Sequence, residues 1–95
     1  MSGRHRRGAM RKLRTLSLRS NRMTTLAGID EVGLTGLERL DLSDNVLSEL
    51  RELGSLASLG RLRRLHLHGN PIQFLENYRS LVLAVMIESR HAYAQ

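Results

Sequence analysis

Leucine and asparagine recur along this chain in one pattern that occurs three times. Each copy has leucine at positions 1, 4 and 6 and asparagine at position 9: Leu13–Asn21, Leu37–Asn45 and Leu62–Asn70. Side chains alternate along a strand, so the leucines at positions 4 and 6 share one side. The pattern predicts three short strands of a parallel sheet, over Thr15–Arg19, Arg39–Ser43 and Arg64–His68.

The returns between the strands have their own hydrophobic spacing. After the second asparagine, leucines recur every third residue, at Leu47, Leu50, Leu53, Leu56 and Leu59. This spacing favours a 3₁₀ or short α segment, which Gly54 and Gly60 are expected to break. Asn21, Asn45 and Asn70 are expected to bond the backbone of neighbouring turns, because buried backbone groups need partners.

The last segment predicts a helix. Pro71 prevents a simple continuation of the strand pattern, and Phe74 and Leu75 are expected to fill the base of the last repeat. From Leu75 to about Arg90 one apolar face contains Tyr78, Leu81, Val82, Val85 and Met86. Leu83 and Ile87 fall on the other side of this helix, where the chain offers no obvious mate.

The motif and its spacing resemble the leucine-rich-repeat family. Gly69-Asn70-Pro71-Ile72, followed by Asn77-Tyr78-Arg79, resembles the C-terminal cap of one subclass, which includes a protein phosphatase 1 regulatory subunit, a spliceosomal ribonucleoprotein subunit and an axonemal dynein light chain. The resemblance implies that Pro71 opens the cap and that Tyr78 and Arg79 pack against the final repeat. The predicted fold is α/β: a short leucine-rich-repeat solenoid of about three repeats, with a parallel β-sheet on its concave face and a C-terminal capping helix.

Three parts are predicted along the chain. Residues 1–11 form a flexible basic arm, residues 12–75 the three repeats, and residues 76–95 the capping helix and tail. The N-terminal side shows no capping repeat, and an uncapped end exposes core leucines. We therefore expect that the chain is a fragment of a longer array or that something else covers its first repeat.

Charge is distributed unevenly along the 95 residues. The net charge is +6, yet residues 1–29 contain eight of the 15 Lys and Arg residues and none of the nine acids. Such an arm suits phosphate polymers or acidic protein surfaces, so a nucleic acid partner through residues 4–14 stays open. A mitochondrial transit peptide has the same composition, but the first repeat begins at Leu13. There is no cysteine, and no apolar run reaches the roughly 20 residues of a membrane span, so no membrane partner is expected.

The repeat register predicts which side chains share the concave face. Its columns are Thr15, Arg39 and Arg64; Ser17, Asp41 and His66; Arg19, Ser43 and His68; and Ser20, Asp44 and Gly69. Ser17, Asp41 and His66 are the residue types of a hydrolase triad, but a triad needs the histidine between the other two. His66 and His68 could begin a zinc site, with Asp41 or Asp44, but a third histidine is missing. No enzyme activity, metal or cofactor is predicted.

These observations predict a non-enzymatic protein–protein interaction module. Its protein-binding residues are expected to be Arg39, Asp41, Arg64, His66 and His68 on the concave face, and Leu83 and Ile87 on the helix. The resemblance implies a subunit or adaptor of a larger intracellular assembly, of ciliary or phosphatase-regulatory type, located in the cytoplasm or axoneme. The alternative is an RNA-associated ribonucleoprotein subunit, located in the nucleus, that uses the basic arm.

Overall fold

The fold was obtained as a computed structural model that describes residues 10–94, with side-chain surroundings for residues 10–87. Three strands, three 3₁₀ segments and one helix follow one another: β1 (Thr15–Ser17), Ile29–Glu31, β2 (Arg39–Asp41), Leu50–Ser58, β3 (Arg64–His66), Pro71–Phe74 and α1 (Tyr78–Ala94). The predicted α/β class is confirmed. Most of the predicted basic arm, residues 1–9, lies outside the described part of the chain.

The three strands form one parallel sheet in the order β1-β2-β3. Leu16, Leu40 and Leu65 are aligned across it, so the motif register predicted from the sequence matches the observed pairing. Each strand starts at its predicted residue and ends two residues early. A left-handed residue lies three positions after the end of each strand, with φ of 59° at Ser20, 57° at Asp44 and 79° at Gly69.

The core lies on the leucine side of the sheet. Among the described residues its twelve buried hydrophobic members are eleven leucines and Ile72. The second repeat is the best buried, with Leu40 and Leu42 at 0% exposure. In the first repeat Leu16 and Leu18 are only half-buried. Since burial of a leucine stabilises the fold by about 2 kcal/mol, the first repeat adds least.

Asn45 and Asn70 join each repeat to the one before it. The Asn45 amide donates to Leu18 O at 3.0 Å and accepts from Met23 N at 3.1 Å. Asn70 does the same one repeat later, with Leu42 O at 2.9 Å and Leu47 N at 3.0 Å. These amides satisfy main-chain groups in the turns, where the strand ladder has ended.

The 3₁₀ segment predicted for the second return is present as Leu50–Ser58; it ends before Gly60 but continues through Gly54, so the predicted break at Gly54 is wrong. The predicted start of the last helix is also wrong. Helix α1 begins at Tyr78, since Pro71–Phe74 is a 3₁₀ turn and Leu75 is extended at ψ 146°. This turn leaves Phe74 83% exposed and Leu75 41% exposed, so they do not fill the base of the last repeat.

Helix α1 packs against the Leu50–Ser58 segment. Tyr78, Val82, Val85 and Met86 face the core, whereas Leu81, predicted on the same face, is 38% exposed. Partial burial raises the pKa of the Tyr78 hydroxyl. Within residues 10–94 no helix is long and apolar enough to cross a membrane.

A carboxylate ties the first two returns together and should make stability depend on pH. Glu52 Oε1 accepts from Leu26 N at 2.7 Å and from Thr25 Oγ1 at 2.8 Å, and these bonds lower the Glu52 pKa below its ordinary 4.5. A lowered folded pKa means that the stabilisation is full above pH 4.5 and is lost as the pH falls through the folded value.

We therefore expect the urea midpoint of the parent protein to decline below pH 4.5. The Glu52→Gln variant should show a shallower decline. Glu49 is the matched control, because among the described residues its carboxylate pairs with the exposed Arg51, so Glu49→Gln should follow the parent. A Glu52→Gln profile that coincides with the parent profile would contradict this role.

Candidate functional site

The side of the sheet opposite the core is polar. We call its six outward side chains the polar sheet face: Thr15, Ser17, Arg39, Asp41, Arg64 and His66. The pairing places Thr15, Arg39 and Arg64 in one row. Neighbouring strands lie about 4.8 Å apart, so the side chains of a row can contact one ligand together.

Arg39 and Arg64 are opposed like charges on this face. They are direct partners in the β2–β3 pairing, and both are exposed. Neither takes part in an ion pair with the side chains described. Like charges opposite each other destabilise a sheet, so this arrangement costs stability and offers two adjacent guanidinium groups to a carboxylate or phosphate.

Asp41 occupies the middle of the next row, between Ser17 and His66. Its Oδ1 accepts from Ser43 N at 2.9 Å and from the Ser43 hydroxyl. The Ser43 bonds are the main cause of a lowered Asp41 pKa, which burial opposes and the nearby His66 and Arg19 charges assist. The carboxylate is thus ionised and turned along its own strand, and the row lacks the order that a catalytic triad requires.

The end of the predicted concave surface differs from the expectation at Ser43. Its side chain is fully buried, at 0% exposure, because its hydroxyl turns back to Asp41. Arg19 instead forms an ion pair with Asp44 at 3.2 Å. His68 lies exposed beyond the end of β3. No cluster of three metal-ligand side chains occurs among the residues that the structure covers.

Helix α1 has a second exposed surface. Leu83 is 60% and Ile87 57% exposed, one helical turn apart on the side away from the core. Arg79 is also exposed, at the start of the helix, and Pro71 is exposed at the start of its 3₁₀ turn. The helix therefore presents an apolar stripe formed by Leu83 and Ile87.

A basic cleft lies beside the strand starts. It has a volume of about 590 Å³, and its charged lining residues are Arg11, Lys12, Arg14 and Arg61. Gly36 lies between the repeats here, and a Cβ at this position would lie 2.7 Å from the backbone oxygen of Arg11 and against the Arg14 guanidinium, whose Nη1 donates to Gly36 O at 3.3 Å. The cleft therefore depends on that glycine.

Sequence reasoning found the first three cations of the cleft but missed Arg61. The signal was present in the repeat register, because Lys12, Gly36 and Arg61 each come directly before the first leucine of their motif. Residues at one motif position stack along the sheet, so a charge that is distant in sequence joins the arm's residues in space.

Comparison with protein families gives a match over most of the chain. The sequence profile described as Leucine rich repeat matches residues 11–72, which covers all three strands and the turn that follows the third. No curated protein matches the chain significantly.

Proposed function

Because the chain belongs to the leucine-rich-repeat family, whose domains generally mediate protein–protein interaction, we propose that it is a non-enzymatic binding module within a larger intracellular assembly. In this proposal the repeats form a short solenoid, and α1 caps its C-terminal end in the manner of the subclass with the Asn70-Pro71 and Tyr78-Arg79 signature. The assembly would be of ciliary or phosphatase-regulatory type.

The polar sheet face is the proposed binding surface. The observation that supports it is the Arg39–Arg64 pair, two exposed like charges held side by side with no acid between them. A fold gains nothing from this pair, whereas an acidic segment of a partner can bind both guanidinium groups. His66 and His68 extend the same surface, and Asp41 supplies one acceptor for a polar donor of the partner.

The exposed stripe of α1 is a secondary contact in this proposal. Leu83 and Ile87 add apolar area, whose removal from water favours binding. However, the stripe lacks the charge pattern that gives a surface its specificity. We therefore assign partner choice to the polar sheet face.

RNA binding is the second candidate function, and the basic cleft favours it. Among the described residues that line the cleft, four are cations and none is an acid. Arginine binds phosphate oxygens in a bidentate manner. The described part of its lining contains no aromatic side chain on which a base could stack, so this function would be sequence-independent and governed by phosphate charge.

Salt dependence separates the two functions. Once a partner has been identified by affinity purification, its affinity should be measured between 50 and 200 mM salt (about the range in which phosphate binding weakens most clearly). Two full-length variants are compared: Arg14→Gln with Arg61→Gln in the cleft, and Arg39→Gln with Arg64→Gln on the sheet face. Protein binding predicts loss only for the sheet-face variant. RNA binding predicts a steep salt slope, loss only for the cleft variant, and sensitivity to ribonuclease.

A further inference from the structure

Two of the three repeat asparagines, Asn45 and Asn70, form hydrogen bonds to the preceding repeat, and within residues 10–94 Asn21 lacks such bonds. Asn45 and Asn70 each reach one carbonyl and one N–H of the preceding repeat. The Asn21 amide donates only inside its own repeat, to Leu18 O at 2.8 Å and Arg19 O at 3.4 Å. Among the described residues its Oδ1 accepts no hydrogen bond. Asn21 thus presents an acceptor at the position where the other two bind a neighbouring coil.

The strand beside Asn21 has an unpaired edge. β1 is the first strand of the sheet and pairs only with β2 within residues 10–94. The amides of Leu18 and Ser20 donate to Asp41 O and Ser43 O of the neighbouring repeat. In a parallel strand alternate residues face opposite edges, so the Ser17 backbone faces away from β2. Such an edge readily accepts an added strand.

An apolar groove of about 300 Å³ adjoins this edge. Leu26 and Leu34 lie buried in its lining. Its more accessible lining residues include Met10, Leu16, Leu18, Met23, Ile29 and Val32. The corresponding leucines of the second repeat, Leu40 and Leu42, are completely covered by their neighbours. The groove therefore has the shape and chemistry that one more leucine coil would fill.

Charge around the edge narrows the choice of occupant. No acid occurs before Asp30, and the exposed cations Arg11 and Arg22 come before and after β1 in the sequence. A second copy of the chain would bring these cations together. A two-fold axis would also make the two edge strands antiparallel, and Asn21 would then lack the parallel neighbour to which Asn45 and Asn70 bond. Residues 1–9 are also unsuited, because Met1 and Ala9 are their only apolar side chains and Arg4, Arg6 and Arg7 add positive charge.

We propose that the free edge of β1 accepts a parallel strand from a partner protein, with the Leu-x-x-Leu-x-Leu pattern and flanking acidic residues. The β2 strand has this leucine pattern and pairs with the other edge of β1. Asp44, in the turn after β2, forms an ion pair with Arg19, so acidic residues that flank an added strand suit this part of the chain. The added strand lies in the register of the internal repeats: its sixth motif residue offers a carbonyl to Asn21 Nδ2, and the residue two after its asparagine offers an N–H to Asn21 Oδ1.

The test uses the full chain and a labelled peptide with the sequence of Leu37–Leu50. This segment carries the leucine pattern, the carbonyl of Leu42 and the N–H of Leu47, and its four acids and one arginine give a net charge of −3. Fluorescence anisotropy should show saturable binding. A peptide with its motif leucines changed to serine should not bind.

Two variants of exposed residues locate the binding. Asn21→Ala removes the amide and should weaken binding about tenfold, the factor expected for about 1.4 kcal/mol. Ser17→Pro removes the outward N–H, so it should abolish strand addition. The fold should tolerate this change, because proline is found on edge strands. Both should keep the parent's thermal midpoint within a few degrees. Arg39→Glu with Arg64→Glu should leave peptide affinity unchanged, which separates this site from the polar sheet face.

Three results would overturn the proposal. The first is no peptide binding to the parent chain. The second is binding that Asn21→Ala and Ser17→Pro leave intact. The third is a concentration-dependent dimer in light scattering that Ser17→Pro converts to monomer, which would assign the edge to a second copy. None of them bears on partner binding at the polar sheet face, so the failure of one proposal is distinguishable from the failure of the other.

Discussion

Replacing Asn70 by alanine is expected to lower the free energy of unfolding by about 3 kcal/mol. The side chain is 1% exposed and makes three bonds, to Leu42 O, Leu67 O and Leu47 N. Alanine leaves Leu67 O and Leu47 N buried without this partner, and each such group costs about 1–3 kcal/mol. Urea unfolding followed by circular dichroism measures the change.

The other two asparagines provide matched controls for the same substitution. Asn45 is 6% exposed and its amide also joins two repeats, so Asn45→Ala should cost somewhat less than Asn70→Ala. Asn21 is exposed, and among the described residues it bonds within its own repeat, so water replaces its contacts and the cost should be about 0.5 kcal/mol. Equal costs at the three positions would contradict the account of these residues as links between repeats.

The strands and their alignment could be predicted from sequence because one period governs both. Leucine positions fix which side of each strand is buried, and the repeat spacing places Leu16, Leu40 and Leu65 side by side. Hydrophobic burial is the largest favourable contribution to such a fold. A pattern that satisfies it three times in register leaves little choice for the sheet.

The departures from prediction arise from contacts that have no periodic signal. Hydrophobicity predicts Phe74 in the core, but the turn at Pro71 directs it outward to 83% exposure. Alternation predicts Ser43 on the surface, and its bond with Asp41 buries it. The Glu52 bond to Leu26 N joins residues far apart in sequence. Each depends on one local geometry that the repeat does not encode.

The residues that form the binding surface could be predicted from the sequence. The charge that this surface presents could be derived only from the contacts in the structure. The register identified Arg39, Asp41, Arg64 and His66 as neighbours on one face. Only the structure separates them: Asp41 is engaged by Ser43, and the two arginines face solvent without an acid. The polar sheet face therefore presents more positive charge to a partner than its residue types alone suggest.

Reversing both sheet-face arginines, with Arg39→Glu and Arg64→Glu, is expected to weaken partner binding at least about a hundredfold. Two charge-assisted hydrogen bonds are lost, each worth about 1.5–3 kcal/mol, and repulsion from an acidic partner replaces them. Stability should stay close to the parent value, because one like-charged pair replaces another.

Arg39→Glu alone should stabilise the fold by about 0.5 kcal/mol, since the new carboxylate would face Arg64. This single variant should still weaken partner binding.

The dissociation constant of the purified partner, measured by calorimetry for the parent and three variants, tests the central claim most directly. Arg22→Glu with Arg79→Glu changes the net charge equally at exposed positions outside the polar sheet face, and Leu83→Ser with Ile87→Ser removes the helix stripe. The account predicts a loss of about a hundredfold or more for Arg39→Glu with Arg64→Glu, and much smaller changes for the other two. Parent-like affinity in the sheet-face variant, with loss in the helix variant, would contradict it and place the partner on α1.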